Sequence, residues 1–280
     1  LEPLGTRMVW LHGALARREK RAALEAIASG EATIAIGTHA LFQKGVSFKR
    51  LALAIVDEQH RFGVQQRLEL RRRANPELVP HQLMMSATPI PRTLSMTYFA
   101  DLDVSVIDEL PPGRGAVATR LVSDARRGEV LRRIRAACTE GQQAYWVCPV
   151  IEESKEGDVR TALDTHALLC CELGGLRVGL LHGRLPPEEK AAVMADFASG
   201  RIQLLVATTV IEVGVDVPNA SLMVIEHAER FGLAQLHQLR GRVRRGRQKS
   251  VCILLYAAPL SAAARARLKV IFEHTDGFEI

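Results

Sequence analysis

Residues 16–28 set apolar side chains at helical spacing among charged ones, and Gly30 follows as a stop, so a helix is predicted there. Thr33-Ile34-Ala35-Ile36 reads as a short apolar strand. The run Leu51-Ala52-Leu53-Ala54-Ile55-Val56 has no polar position at all, the pattern of a parallel strand buried on both faces. Leu83-Met84-Met85, Ile202–Ala207 and Ser221–Ile225 read likewise, as does Gln142–Val150, which Gly141 leads and Pro149 closes. Strands alternating with helices over short connections predict a parallel α/β sheet in each half of the chain.

The two halves repeat one another. Leu11-His12-Gly13-Ala14-Leu15 recurs 170 positions later as Leu181-His182-Gly183-Arg184-Leu185. The same offset lays Glu19-Lys20 on Glu189-Lys190, Ala28-Ser29-Gly30 on Ala198-Ser199-Gly200 and Thr38 on Thr208. After a one-residue slip, Gly45-Val46 meets Gly214-Val215 and Arg61-Phe62-Gly63 meets Arg230-Phe231-Gly232. A period this long signals two copies of one domain rather than a solenoid. Pro111-Pro112-Gly113-Arg114-Gly115 is the expected linker, dividing the chain into 1–112 and 113–280.

Composition narrows the class. In 280 residues, hydrophobic side chains make up 48% and charged ones 24%, which excludes collagenous, disordered and low-complexity chains. Aromatics are only 5%, so the core is expected from Leu, Val, Ile and Ala. No apolar run approaches the ~20 residues of a bilayer span, and no signal-peptide pattern opens the chain, so a cytoplasmic protein is expected. The five cysteines form no C-x-x-C pair and read as buried free thiols. A charge of +6 points mildly to a polyanionic partner. The chain opens on Leu1 rather than Met, and a piece of a longer protein is expected.

Ligands of open parallel sheets bind at the carboxyl ends of strands. Asp57-Glu58-Gln59-His60 stands directly after the run that ends at Val56. Two adjacent carboxylates there suit a Mg²⁺–nucleotide site, one holding the hydrated metal and the other taking a proton from the attacking water. A solvated acidic turn is the plainer alternative. The matching positions of the second half are Glu226-His227, so the pair is kept in one copy only. That asymmetry fits a nucleotide handled by two related domains, one performing the chemistry and the other sensing it. The stretch Gln238–Arg247 holds five arginines in ten residues. Arginine stabilises charge developing on a γ-phosphate, although a basic surface turn or a DNA-phosphate patch has the same composition. Ser86 and Thr88 follow a strand beside the acid pair, placed to couple phosphate state to motion or simply to cap the next helix.

Asp57–Val64, Ser86–Thr93, Thr208–Ser221 and Gln235–Arg242 together resemble the ordered motifs of superfamily 2 helicases. Within that superfamily the combination is most similar to the RecG helicases, as are Ala144–Pro149 and Asp108–Arg114, and the likeness covers essentially the whole chain. The resemblance implies an α/β fold of two tandem RecA-like parallel-sheet domains, the first truncated at its N-terminus. It implies ATP and Mg²⁺ as cofactors, branched double-stranded DNA at stalled forks and Holliday junctions as partner, and a bacterial, monomeric motor. On matching positions, Asp57 would hold Mg²⁺ through water, Glu58 would activate the attacking water, and His60 would relay between nucleotide and second domain. Ser86 and Thr88 would couple hydrolysis to movement. Gly214 and Asp216 lie in the motif that touches nucleotide and DNA, and Gln238, Arg242 and Arg245 would reach the γ-phosphate. Thr38, His39, His182, Gly183, Arg184, Thr208 and Thr209 would contact the DNA backbone. In such a motor the domains close on ATP and open after hydrolysis, gripping phosphates rather than bases.

The chain departs from the pattern in places. The phosphate loop G-x-x-x-x-G-K-[ST] does not occur in it, so the isolated chain is expected to hydrolyse ATP poorly. Arg244 stands where the family has Gly. The translocase of transcription-repair coupling is a second candidate, with Gln59 and the Ala144–Pro149 strand favouring RecG. A non-enzymatic DNA-binding remnant is a third, and retention of Asp57, Glu58 and Gln238 speaks against it.

Overall fold

The computed structural model describes residues 5–43, 45–58, 79–86, 103–107, 109, 117–149, 155–208, 217–243 and 250–274. It separates into two units, Leu1–Ala87 and Thr88–Ile280. The expected linker and the boundary at 112/113 fall outside the described residues.

The first unit runs β1 (Met8–Leu11), α1 (Arg17–Ser29), β2 (Ile34–Gly37), a 3₁₀ turn (His39–Phe42), β3 (Leu53–Val56) and β4 (His81–Met84). β1 pairs with β2 and β3 with β4, both parallel. α1 ends as its sequence dictates: Gly30 turns left-handed at φ +76 and its N–H closes on the Ile27 carbonyl at 3.2 Å. Gly37 is required for a different reason, since a Cβ there would collide with the backbone carbonyl of Leu11.

The second unit carries β5 (Val117–Ser123), α2 (Arg127–Thr139), β6 (Gln143–Val147), α3 (Lys155–Glu172), β7 (Val178–Leu181), α4 (Pro187–Ala198), β8 (Leu204–Ala207), β9 (Ala220–Ile225), α5 (Leu233–Arg242), β10 (Ser250–Tyr256) and α6 (Ala262–Glu273). Its six strands form one parallel sheet in the order β5-β10-β9-β6-β8-β7. Side chains alternate across the pleat, so each face has its own core. Trp146, Val206, Leu222 and Val224 pack under α2 and α3, while Tyr145, Leu205, Met223 and Ile225 pack under α4, α5 and α6. Among the described residues no helix is long and apolar enough to cross a membrane.

The repeat is structural as well as sequential. β1 and β2 pair Met8 with Ile34 through Leu11 with Gly37, and β7 and β8 pair Val178 with Leu204 through Leu181 with Ala207, each residue displaced by 170. Gly200 closes α4 at φ +79 as Gly30 closes α1.

One expectation does not hold. β3 is buried on one face only, with Leu53 53% and Ile55 58% exposed. Their counterparts Leu222 and Val224 are covered by α2 and α3. Among the described residues of the first unit the single α-helix, α1, packs on Leu11 and Ala35, leaving Trp10 and Ile36 on the bare side as well.

The cysteines divide too. Cys138, Cys148 and Cys252 are buried, but Cys170 and Cys171 are exposed on α3. Burial pushes the Cys138 thiol up to about 11, and the Cys148 and Cys252 thiols up to about 12. Because the thiolate is the reactive form, alkylation of the native chain at pH 8 should label Cys170 and Cys171 and spare the other three until denaturant is added. Peptide mass mapping checks this, and native labelling of Cys252 would contradict the burial.

Candidate functional site

The chemistry-bearing residues collect at the carboxyl ends of strands in both units. Asp57 and Glu58 leave β3 directly. Asp57 is exposed, and its Oδ1 accepts the Glu58 backbone N–H at 2.9 Å. Glu58 sits at φ +51, a left-handed conformation that non-glycine residues adopt at a cost of about 1–3 kcal/mol and that recurs at functional sites. The Met85 N–H donates to the Val56 carbonyl at 2.8 Å, which carries Ser86 to the same edge. Thr38 and His39, both exposed, leave β2 beside the end of β1, with the Thr38 N–H on the Leu11 carbonyl at 3.3 Å. That bond brings His12-Gly13 next to Thr38-His39, a pair that reading single motifs passes over and that the repeated Leu-His-Gly could have flagged.

The second unit rebuilds this edge. His182, Gly183 and Arg184 leave β7, and Thr208 leaves β8 with its N–H on the Leu181 carbonyl at 3.2 Å. Lys190 of α4 reaches back to donate to the Gly183 carbonyl at 2.6 Å and so fixes the loop. Thr208 is buried where Thr38 is exposed. His182 is 9% exposed, and its Nδ1 makes no hydrogen bond among the described residues. Burial, then the charges of Lys190 and Arg184, hold its imidazole below the usual histidine range, so it is neutral at pH 7.

α5 explains the arginine-rich stretch. Gln238 and Arg242 are four residues apart and share one helix face, while Leu236, Leu239 and Arg240 occupy the buried face. Arg240 is 5% exposed. Its guanidinium donates to the carbonyls of Ile271 and His274, both at 2.8 Å, and to His237 Nδ1 at 3.1 Å. It ties α5 to the end of α6, whereas Arg242 stays half-buried on the opposite face. Of the remaining expected site residues, His60, Thr88, Thr209, Gly214, Asp216 and Arg245 lie outside the described residues.

Two helicase domain families match the chain: DEAD/DEAH box helicase over residues 1–97 and helicase conserved C-terminal domain over residues 128–247. The ATP-dependent DNA helicase RecG of Escherichia coli (strain K12) is 58% identical over 280 residues, covering 99% of this chain and 40% of that protein. The same helicase of Bacillus subtilis (strain 168) is 49% identical over 264 residues, 94% of this chain and 38% of that protein. A solved structure of RecG bound to a three-way DNA junction superposes with a TM-score of 0.73 at 45% identity, covering 98% of this chain and 35% of that one. The chain thus spans about two fifths of the length of these relatives. Tandem parallel sheets, an acid pair at one strand end and sustained identity lead to one conclusion: the chain belongs to the RecG family of superfamily 2 helicases, of which it represents the two RecA-like domains.

Proposed function

We propose that the chain is the motor of an ATP-dependent, bacterial cytoplasmic helicase that works as a monomer on branched double-stranded DNA in recombination and repair. The observation that carries this reading is the doubled strand-end edge: backbone geometry is repeated, while the acid pair, with Asp57 exposed and Glu58 partly buried, is kept in the first unit alone. Asp57 offers hard carboxylate oxygen at an open strand end, a donor that suits Mg²⁺ held through water. Bound there, Mg²⁺ would neutralise phosphate charge. Glu58 takes the proton of the attacking water, His60 relays to the second unit, and Ser86 and Thr88 couple turnover to movement. Gln238, Arg242 and Arg245 read the γ-phosphate, and Gly214 and Asp216 contact nucleotide and DNA. Thr38, His39, Gly183, Arg184, Thr208 and Thr209 hold DNA phosphates, with neutral His182 as a hydrogen-bond donor among them.

The test is a chimera in which residues 1–280 replace the matching segment of the E. coli relative. It should hydrolyse ATP in response to a synthetic three-way junction and separate its strands. A folded chimera without junction-stimulated turnover refutes the proposal.

Electrostatics supplies a finer expectation. Each phosphate neutralised by a cation contributes about −0.9 to the slope of log K against log salt. Arg184→Ala should therefore flatten that slope for junction binding by about 1. His182→Gln should weaken binding at every salt concentration and leave the slope unchanged. Anisotropy titrations from about 50 to 200 mM salt distinguish the two, and equal slopes for Arg184→Ala and the unsubstituted chimera would remove Arg184 from the phosphate contacts.

A further inference from the structure

The acid pair of the first unit has a counterpart in the second whose chemistry the proposed motor does not use. Glu226-His227 ends β9 as Asp57-Glu58 ends β3, and His227 at φ +50 repeats the left-handed turn of Glu58 at φ +51. The side chains differ completely in environment. Asp57 is exposed, while Glu226 is 6% exposed and turned inward. Its carboxylate pairs with Arg127, the first residue of α2. Glu226 Oε2 accepts the indole N–H of Trp146 on β6 at 2.8 Å and the hydroxyl of Thr165 on α3 at 3.3 Å. The Arg127 guanidinium also lies over the Trp146 ring, 4.7 Å from its centroid. A buried carboxylate is tolerated only when paired and hydrogen-bonded. Here each partner comes from a separate element, so one side chain joins α2, β6 and α3 to the end of β9.

That junction governs the next stretch of chain. After Glu226, His227 Nδ1 meets Glu229 Oε1 at 3.1 Å, and Glu229 Oε2 accepts the Ala257 N–H at 3.3 Å beyond β10. The Gly232 N–H then donates to Gln235 Oε1 at 3.0 Å, and α5 begins, carrying Gln238 and Arg242. The connection from β9 to α5 is therefore anchored on the α2–α3 side by Glu226 and on the α6 side by Glu229, whose backbone carbonyl accepts from Arg267 at 2.6 Å.

We propose that Glu226 is a positioning residue for phosphoryl transfer: folded inward and held by Arg127, Trp146 and Thr165, it sets the β9–α5 connection and so the placement of Gln238 and Arg242. The inward fold also removes a carboxylate from an edge whose arginines attract phosphate. This rests on the motor reading above.

The test uses the chimera with Glu226→Gln, Arg127→Met and both together. In Glu226→Gln the amide oxygen still accepts from Trp146 and Thr165, but Arg127 loses its close buried counter-charge and keeps the more exposed Asp124 Oδ1 at 3.9 Å, whereas the double variant strands no buried charge. Misplacing a phosphate-reading group by a fraction of an ångström is worth about tenfold or more in rate, so each single variant should lower kcat by about tenfold. KM for ATP should move by less than about threefold, since the effect belongs to the transition state. The double variant should return to within about threefold of the unsubstituted kcat. In the 280-residue chain, the Trp146 indole N–H proton resonance should shift in Glu226→Gln while that of Trp10 stays.

Unchanged kcat in a folded Glu226→Gln chimera overturns the proposal, and so does a double variant no faster than the singles. If a single variant fails to fold, Thr165→Val removes one hydrogen bond and no charge. It should cost about two- to threefold in kcat at constant KM, and no loss again overturns the idea. An unsubstituted chimera without ATP turnover refutes the motor reading instead. The Trp146 resonance then decides the inward lock alone, an unshifted indole overturning it.

Discussion

Glu58→Gln in the chimera should lower steady-state ATP turnover by on the order of a thousandfold, with ATP binding retained, because a positioned general base contributes about 10²–10⁴ in rate. The substitution is nearly isosteric, and it leaves the left-handed backbone at φ +51 for the same kind of side chain. The Asp57 side chain that accepts the residue-58 N–H stays in place, since that bond is made to backbone. Phosphate release with saturating junction reads the first effect, and equilibrium binding of a fluorescent ATP analogue reads the second. Turnover within about tenfold of the unsubstituted protein would mean that another group accepts the proton.

The second large effect separates two arginines that lie two positions apart. Arg240→Met removes two 2.8 Å hydrogen bonds from a buried guanidinium and leaves the Ile271 and His274 carbonyls short of a donor. Hydrogen bonds from a charged donor are worth about 1.5–3 kcal/mol each, so a loss of about 3 kcal/mol is expected. For a unit of this size that corresponds to a Tm lower by roughly 6–12 °C. Arg242→Met, half-buried on the opposite face of α5, should lower Tm by clearly less than Arg240→Met does. The main cost of Arg242→Met should fall on turnover, at about 10³-fold, the scale of a γ-phosphate arginine. Scanning calorimetry on the chain and phosphate release on the chimera decide the pair. A stable Arg240→Met with poor turnover would exchange the two roles.

These two arginines also mark where sequence reading stops. Charge and spacing bring out the stretch from Gln238 to Arg247 but give Arg240 and Arg242 the same weight. Only the packing of α5 on α6 tells which one is spent inside. The same holds at the acid sites. Asp57-Glu58 is legible because both carboxylates directly follow an apolar run. Glu226 reads as a lost catalytic position because its partners Arg127, Trp146 and Thr165 lie 99, 80 and 61 residues away. Among strands, β6, β8 and β9 declare themselves by unbroken apolar runs, since both of their faces are covered. β5 escapes notice because Val117–Ser123 alternates like a half-exposed strand and holds Thr119 and Arg120 at the edge of the sheet. For β3 the apolar run is real, but composition cannot say that Leu53 and Ile55 stand more than half exposed.

The change of repeat offset from 170 to 169 falls between Thr38 and Leu53 in the first unit, and between Thr208 and Leu222 in the second. In genetic terms, the two copies differ in length there by one codon. The difference falls in the stretch joining one strand to the next, beyond β2 and before β3. Within a strand, the same codon would have turned every following side chain to the opposite face. The surviving geometry of both copies is thus a record of which reading-frame-preserving accidents this fold could absorb, and the stretches between strands are where further ones should be found in related genes.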